Sequence, residues 1–228
     1  MTKTHRPQLS EAQEDYLKQV FLLSEGGPVS TQALAERMGV RPASVTGMVK
    51  KLAALGLLDY APYRGVLLTE AGRAVALEVL RHHRLIETYL AEALGYDWDE
   101  VHAEAERLEH HISEAFEARI AEWLGHPERD PHGDPIPAPD LKLPAVGGRA
   151  LGDCQPGSYR LLRVRSQDKD TLALLARLGL LPGASLALLE KTSAGVRVEV
   201  SEGRFLLPQG LAATLDAEPA LRGDNLES

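Results

Sequence analysis

Between His126 and Gly148 the chain reads HPERDPHGDPIPAPDLKLPAVGG, and no continuous helix passes through such a density of proline and glycine. The stretch reads as an extended connection that cuts the chain into two parts of different texture. From Ser10 to about Arg119 the pattern is helical, broken by the turn signals EGGP, MGVRP and APYRG. Beyond the cut, GSYRLLRVRS, ASLALLEKT, GVRVEVSE and GRFLLP are short, partly alternating segments, which indicates a small β-barrel or sandwich of about seventy residues. DKDTLALLARLGL reads as a short helix among those strands. The fold class expected is therefore α+β, and 228 residues suffice for two or three small domains.

Composition narrows the function classes. The N-terminal MTKTHRPQLSEAQEDY has no apolar core of the signal-peptide kind, and no apolar run approaches the ~18 residues of a membrane span. A cytoplasmic protein with no membrane partner is expected. The single Cys154 excludes an intrachain disulfide and a cysteine-cluster zinc site, so any metal must be held by His, Asp and Glu. The net charge of −8 is unevenly spread: residues 1–75 hold nine Lys/Arg against seven Asp/Glu, the remainder sixteen against twenty-six. Between Arg37 and Thr69 five basic residues face only Asp59, a local positive footprint of the kind phosphate contact needs.

That basic segment, VSTQALAERMGVRPASVTGMVKKLAALGLLDYAPYRGVLLTEAG, reads as two helices and a two-stranded ribbon. Ser30 caps a helix carrying Leu34 and Met38, and Gly39-Val40 ends it. Pro42 suits the first turn of the next helix. There Val45, Val49 and Leu52 face the core, while Ala43, Gly47, Lys50 and Ala54 share the opposite side. A mid-helix glycine costs roughly 1 kcal/mol relative to alanine, so Gly47 is better explained by close approach of another molecule. A DNA major groove is such a neighbour, with Arg41, Pro42, Ser44, Thr46, Lys50 and Lys51 at its surface and Arg64 near the ribbon tip. The outer face has few side chains able to hydrogen-bond base edges, so phosphates, thymine methyl groups and DNA shape carry recognition.

HAEAERLEHHISEAF, residues 102–116, poses a different question. Read as one helix, His102, Glu106, Glu109 and His110 fall in an arc about 100° wide, bordering an apolar face of Val101, Ala105, Leu108, Ile112 and Phe116. Two glutamates at the border of a buried face repel and resist ionisation unless a cation joins them. AVALEVLRHHRLIETYLAEAL adds His83 and Glu87 at i, i+4. SEAQEDYLKQVFLLSE opens with a Ser10–Gln13 capping box and carries Asp15 beside Leu17, Val20 and Phe21.

The order of a winged helix-turn-helix, then RHHRLIETYL, VHAEAERLEHHISEAFEARI and PHGDPIP, closely resembles the diphtheria toxin repressor family of metal-dependent transcriptional regulators, over essentially the whole chain. The resemblance implies a winged helix-turn-helix over residues 1–74, an all-α metal-binding and dimerisation domain with its Pro-rich linker over 75–144, and an SH3-like β-barrel over 145–228. It implies two metal sites, an ancillary one of His83, Glu87 and His102 and a primary one of Asp15, Glu106, Glu109 and His110. Iron-responsive members carry Met and Cys where this chain has Asp15 and Glu106; hard oxygen donors favour Mn2+, with Fe2+ the second candidate. It also implies a homodimer on a double-stranded DNA operator, and repression of metal-uptake genes. Lys18 departs from the acidic residue of manganese-type members and puts their two-metal arrangement in doubt. Asp168 falls where some members supply a ligand, but Thr171 replaces their Gln, and a solvated turn aspartate is the simpler reading. Two other readings stand beside this one: a metal-dependent hydrolase, which lacks an identifiable general base or nucleophile, and a winged-helix regulator with a non-metal effector.

Overall fold

A computed structural model describes residues 9–24, 27–61 and 63–220. Its contacts divide the chain into two units, one reaching to His82 and including Pro139–Lys142, the other formed by His83–Ala138 and the chain from Leu143 onward.

The first unit is built by local signals. Helix α1 spans Glu11–Leu23 and opens with the expected box, Ser10 N–H donating to Gln13 Oε1 at 3.0 Å. Ser30 Oγ accepts from Ala33 N at 3.0 Å to start α2, Thr31–Met38, and Gly39 ends it in the left-handed conformation, where a Cβ would be strained. Helix α3, Pro42–Ala54, takes its proline in the first turn. Strands β1, Leu58–Ala61, and β2, Gly65–Leu68, pair antiparallel with Leu58 opposite Leu68. Val45, Val49 and Leu52 are fully buried with Leu17, Val20, Leu34 and Val66; each such side chain contributes about 1.5–3 kcal/mol. The ribbon is pinned to the helices by paired backbone hydrogen bonds of 2.8 Å between Val29 and Val66.

Helix α4, Glu70–Leu94, is one continuous rod of 25 residues. Its first turn packs so closely on the β1 side that a Cβ on Gly72 would lie 1.9 Å from the Leu57 carbonyl oxygen.

In the second unit the single helix expected over residues 102–116 is two. Helix α5 covers Val101–Leu108, and α6 covers Glu114–Trp123 with Ser113 Oγ accepting from Phe116 N. The sequence places Ser113 before Glu114 and Glu117, an N-cap with an acidic first turn, and that cap prevails over the apolar spacing that runs through it. Val101 and Ala105 are buried as expected, but Leu108 and Phe116 are 37 % and 49 % exposed. The Pro-rich stretch is also more than a connection. His132 through Pro137 are buried, and Ile136 packs with Leu85, Ile120 and Ala121.

The C-terminal part is a six-stranded antiparallel sheet in the order β3-β8-β4-β5-β6-β7. Its strands are β3, Arg149–Ala150; β4, Gly157–Val164; β5, Ser185–Thr192; β6, Gly195–Val200; β7, Gly203–Pro208; and β8, Leu215–Pro219. The anticipated helix is α7, Lys169–Arg177, and a short α8, Gln209–Ala212, precedes β8. Leu161, Leu172, Leu175, Leu186, Val196, Val198 and Leu215 form its core, with Cys154 buried among them. Among the described residues no helix is long and apolar enough to cross a membrane.

Gly72→Ala must push its new methyl against backbone, which costs about 1–3 kcal/mol. Urea denaturation of the variant is expected to show a loss in that range; an unchanged midpoint would contradict the packing described for α4.

Candidate metal centre and nucleic-acid face

One turn of α4 sets His83 above Glu87, and α5 presents His102 to the same point. His83 Nε2 lies 3.0 Å from Glu87 Oε1 and 3.0 Å from His102 Nδ1, and His102 Nδ1 lies 3.1 Å from Glu87 Oε1. Three donors held by one ion at about 2.1 Å and about 90° stand about 3.0 Å apart, so this triangle has the dimensions of one face of an octahedral coordination shell. Imidazole nitrogen and carboxylate oxygen also have the chemistry for Mn2+ or Fe2+.

Each ligand-type side chain is oriented by another. His83 Nδ1 is 2.5 Å from Glu109 Oε2, which fixes the ring and aims Nε2 at Glu87 and His102. Glu109 caps the C-terminus of α5, fully buried, and its other oxygen lies 3.3 Å from His110 Nε2. Glu106 is half-buried, 3.9 Å from His102 Nε2. Donor atoms of His83, His102 and Glu106 all lie within 4.8 Å of one another. The second unit therefore brings together His83, Glu87, His102, Glu106, Glu109 and His110. Asp15 sits half-buried on α1 of the first unit, one turn from the buried Lys18.

Burial pushes the Glu87 carboxyl up, yet the imidazoles of His83, His102 and His132 around it hold it well below the ordinary carboxylate range. Sequence reasoning missed two of its neighbours. Asp130 and His132 come from the Pro-rich stretch, and with Glu87 they form a second cluster whose donors lie within 4.8 Å of one another. Burial, then the charges of Glu87 and Asp134, push Asp130 up to about 8 against the pull of Arg84 and His132. The available signal was DPHGD, two aspartates flanking a histidine and a glycine. Asp168, by contrast, caps α7: its Oδ2 accepts from Thr171 N at 2.9 Å and Thr171 Oγ1 at 2.7 Å, which lowers its pKa and occupies it as a turn residue.

On α3 the outer face is as expected. Arg41, Pro42, Ser44, Gly47, Lys50 and Lys51 are exposed, and a Cβ on Gly47 would meet nothing within 4 Å. Thr46 is half-buried, its hydroxyl donating to Pro42 O at 3.0 Å, so it is less available than the sequence suggested. Arg64 is exposed at the β1–β2 turn beside Tyr63, which has a positive φ of 65°.

Comparison with known proteins agrees with both halves of this picture. Residues 8–66 match the iron dependent repressor N-terminal DNA binding domain, 69–138 the iron dependent repressor metal binding and dimerisation domain, and 149–219 the FeoA domain. The iron-dependent repressor IdeR of Mycobacterium tuberculosis is 32 % identical over 226 residues, covering 92 % of this chain and 98 % of that protein. The chain belongs to the iron-dependent repressor family. The diphtheria toxin repressor of Corynebacterium efficiens is 32 % identical over 212 residues, covering 85 % of this chain and 92 % of its own. Among solved structures, a manganese-dependent transcriptional repressor in complex with manganese superposes with a TM-score of 0.84 at 38 % identity, over 91 % of this chain and 100 % of the other. The manganese regulator SloR does so with 0.77 at 33 % identity, over 91 % and 98 %.

As in any member of this repressor family, the DNA-binding domain must present a face that a duplex can approach. Gly47→Ala is expected to stabilise the free protein by about 0.5–1 kcal/mol, whereas Gly47→Leu folds equally well but loses at least about tenfold in duplex affinity. Fluorescence anisotropy beside urea titration reads both; full DNA affinity in Gly47→Leu would contradict close approach of a duplex to this face.

Proposed function

We propose that this repressor answers to Mn2+, with Fe2+ as the second candidate, and that it acts in the cytoplasm as a homodimer on a double-stranded operator and catalyses no reaction. The observation that carries this reading is the His83–Glu87–His102 triangle, whose 3.0–3.1 Å edges suit a hard divalent ion and involve no sulfur. Cys154, the only cysteine, is buried in the sheet core.

Domain limits near residues 74 and 144 divide the labour. His83, Glu87 and His102 make the ancillary site; Asp15, Glu106, Glu109 and His110 make the primary one. A bound divalent cation supplies the positive charge that lets these carboxylates stand close together without protons. Asp15 belongs to the helix that leads into the reading head. Once its repulsion from Glu106 and Glu109 is cancelled, it holds that head at one spacing from the partner's head. Arg41, Pro42, Ser44, Thr46, Lys50, Lys51 and Arg64 then meet successive grooves and phosphates in register. The ensemble shifts only by the difference in metal affinity between competent and incompetent spacings, each tenfold preference amounting to about 1.4 kcal/mol.

The test begins from duplexes selected out of a random pool by the Mn2+-treated protein. Asp15→Ala and Glu106→Ala are expected to keep their helical circular dichroism and to lose at least about tenfold in Mn2+-stimulated affinity for those duplexes. Metal-dependent retardation at the parent's level by both variants would refute the assignment.

A further inference from the structure

We propose that Tyr63, at the tip of the β1–β2 ribbon, is a further DNA-contact residue whose ring packs on deoxyribose at the wall of the groove that receives α3. It rests on the reading of α3 as the helix that meets the duplex, and it adds an uncharged contact that none of the basic residues supplies.

The ribbon holds this side chain out at a fixed place. Arg64 N donates to Ala61 O at 3.1 Å, closing a turn whose third residue is Tyr63, and there the backbone keeps φ at 65°. Glycine or asparagine takes that conformation readily, whereas a bulky side chain is strained in it. Beneath the tip the strands are anchored. Val29 and Val66 exchange backbone hydrogen bonds of 2.8 Å, Val66 is fully buried, and a Cβ on Gly65 would lie 2.8 Å from Val29 O. A strained turn on a rigid base persists because the surrounding contacts enforce it, and such positions cluster where a protein binds something.

Folding buries none of the ring. Tyr63 is 107 % exposed, while the next most exposed large apolar side chain among the described residues, Trp123, is at 60 %. A neighbour that covered the ring would recover its apolar burial. Charge selects that neighbour. Arg64 is exposed beside Tyr63, Lys50 and Lys51 are exposed on α3, and Asp59 is the only acidic residue between Arg37 and Thr69, so the tip continues a face suited to a polyanion. The DNA-binding domain match, residues 8–66, includes it. Strand β1 packs on α3, and four paired residues give the ribbon a length of about 13 Å, comparable with the ~12 Å width of a major groove. With α3 in the groove, the tip reaches the sugar–phosphate wall. Arg64 meets phosphate there, and the flat ring beside it covers sugar carbons. That contact carries no charge and reads no base edge, so it adds affinity without adding to the salt dependence.

The Mn2+-loaded full chain is to be titrated onto duplexes selected from a random pool, by fluorescence anisotropy at several salt concentrations, with urea denaturation alongside. Tyr63→Gly is expected to keep the parent's urea midpoint, because the turn accepts glycine, and to lose at least about fivefold in affinity at an unchanged salt slope. Tyr63→Phe, which keeps the ring, is expected within about twofold of the parent, and Arg64→Ala to lower the salt slope by about one. Parent-level affinity in Tyr63→Gly, an equal loss in Tyr63→Phe, or a lowered urea midpoint in Tyr63→Gly overturns the ring contact while Lys50→Ala still weakens binding. If Lys50→Ala binds like the parent at the same salt slope, the reading of α3 falls and the placement of Tyr63 beside it falls too.

Discussion

A carboxylate placed in the middle of a protein must be answered by positive charge or by a proton. In this chain Glu87 is that carboxylate. It is nearly inaccessible, it is carried by the longest helix, and imidazoles approach it from α4, α5 and the Pro-rich loop. Its burial accounts for the imidazoles crowded around it, which hold its carboxyl in the charged form. The same interaction organises the second unit, because helix α5 and the loop meet α4 at this residue.

Local physics made most of the architecture readable beforehand. Ser10, Ser30 and Pro42 announce helix starts through hydrogen bonds and dihedral restrictions within three residues, and the strands of the ribbon are bounded by a turn. His83 and Glu87 were legible because one helical turn separates them. The break between α5 and α6 was not, because the apolar spacing of Leu108, Ile112 and Phe116 continues across it while only Ser113 argues for a new start. Angles taken from an unbroken helix put Glu109 and His110 in one arc with His102; in the structure both lie past the last turn of α5, where Glu109 meets His83 and His110 meets Glu109.

Asp130 and His132 escaped notice for a different cause. Loop residues have no periodicity, and a Pro-rich run reads as a spacer whether or not tertiary contacts bury it. What buries this one is nonlocal. Gly133 lies so near β4 that a Cβ would touch the Leu162 carbonyl, and Val164 N donates to His132 O at 2.9 Å. Neither contact leaves a mark within a few residues of the loop, and neither does the salt bridge from Arg163 to Asp134 at 3.3 Å.

Those contacts tie the terminal sheet to the loop that borders Glu87. Arg163 pairs with both Asp134 and Asp216, and Arg165 with Asp216, so an ionic ladder runs from the loop into β8. Without the sheet the His132 carbonyl would lose its donor and Asp134 would keep Arg84 as a counter-charge but lose Arg163, so the terminal strands supply half of the positive charge that answers that loop carboxylate.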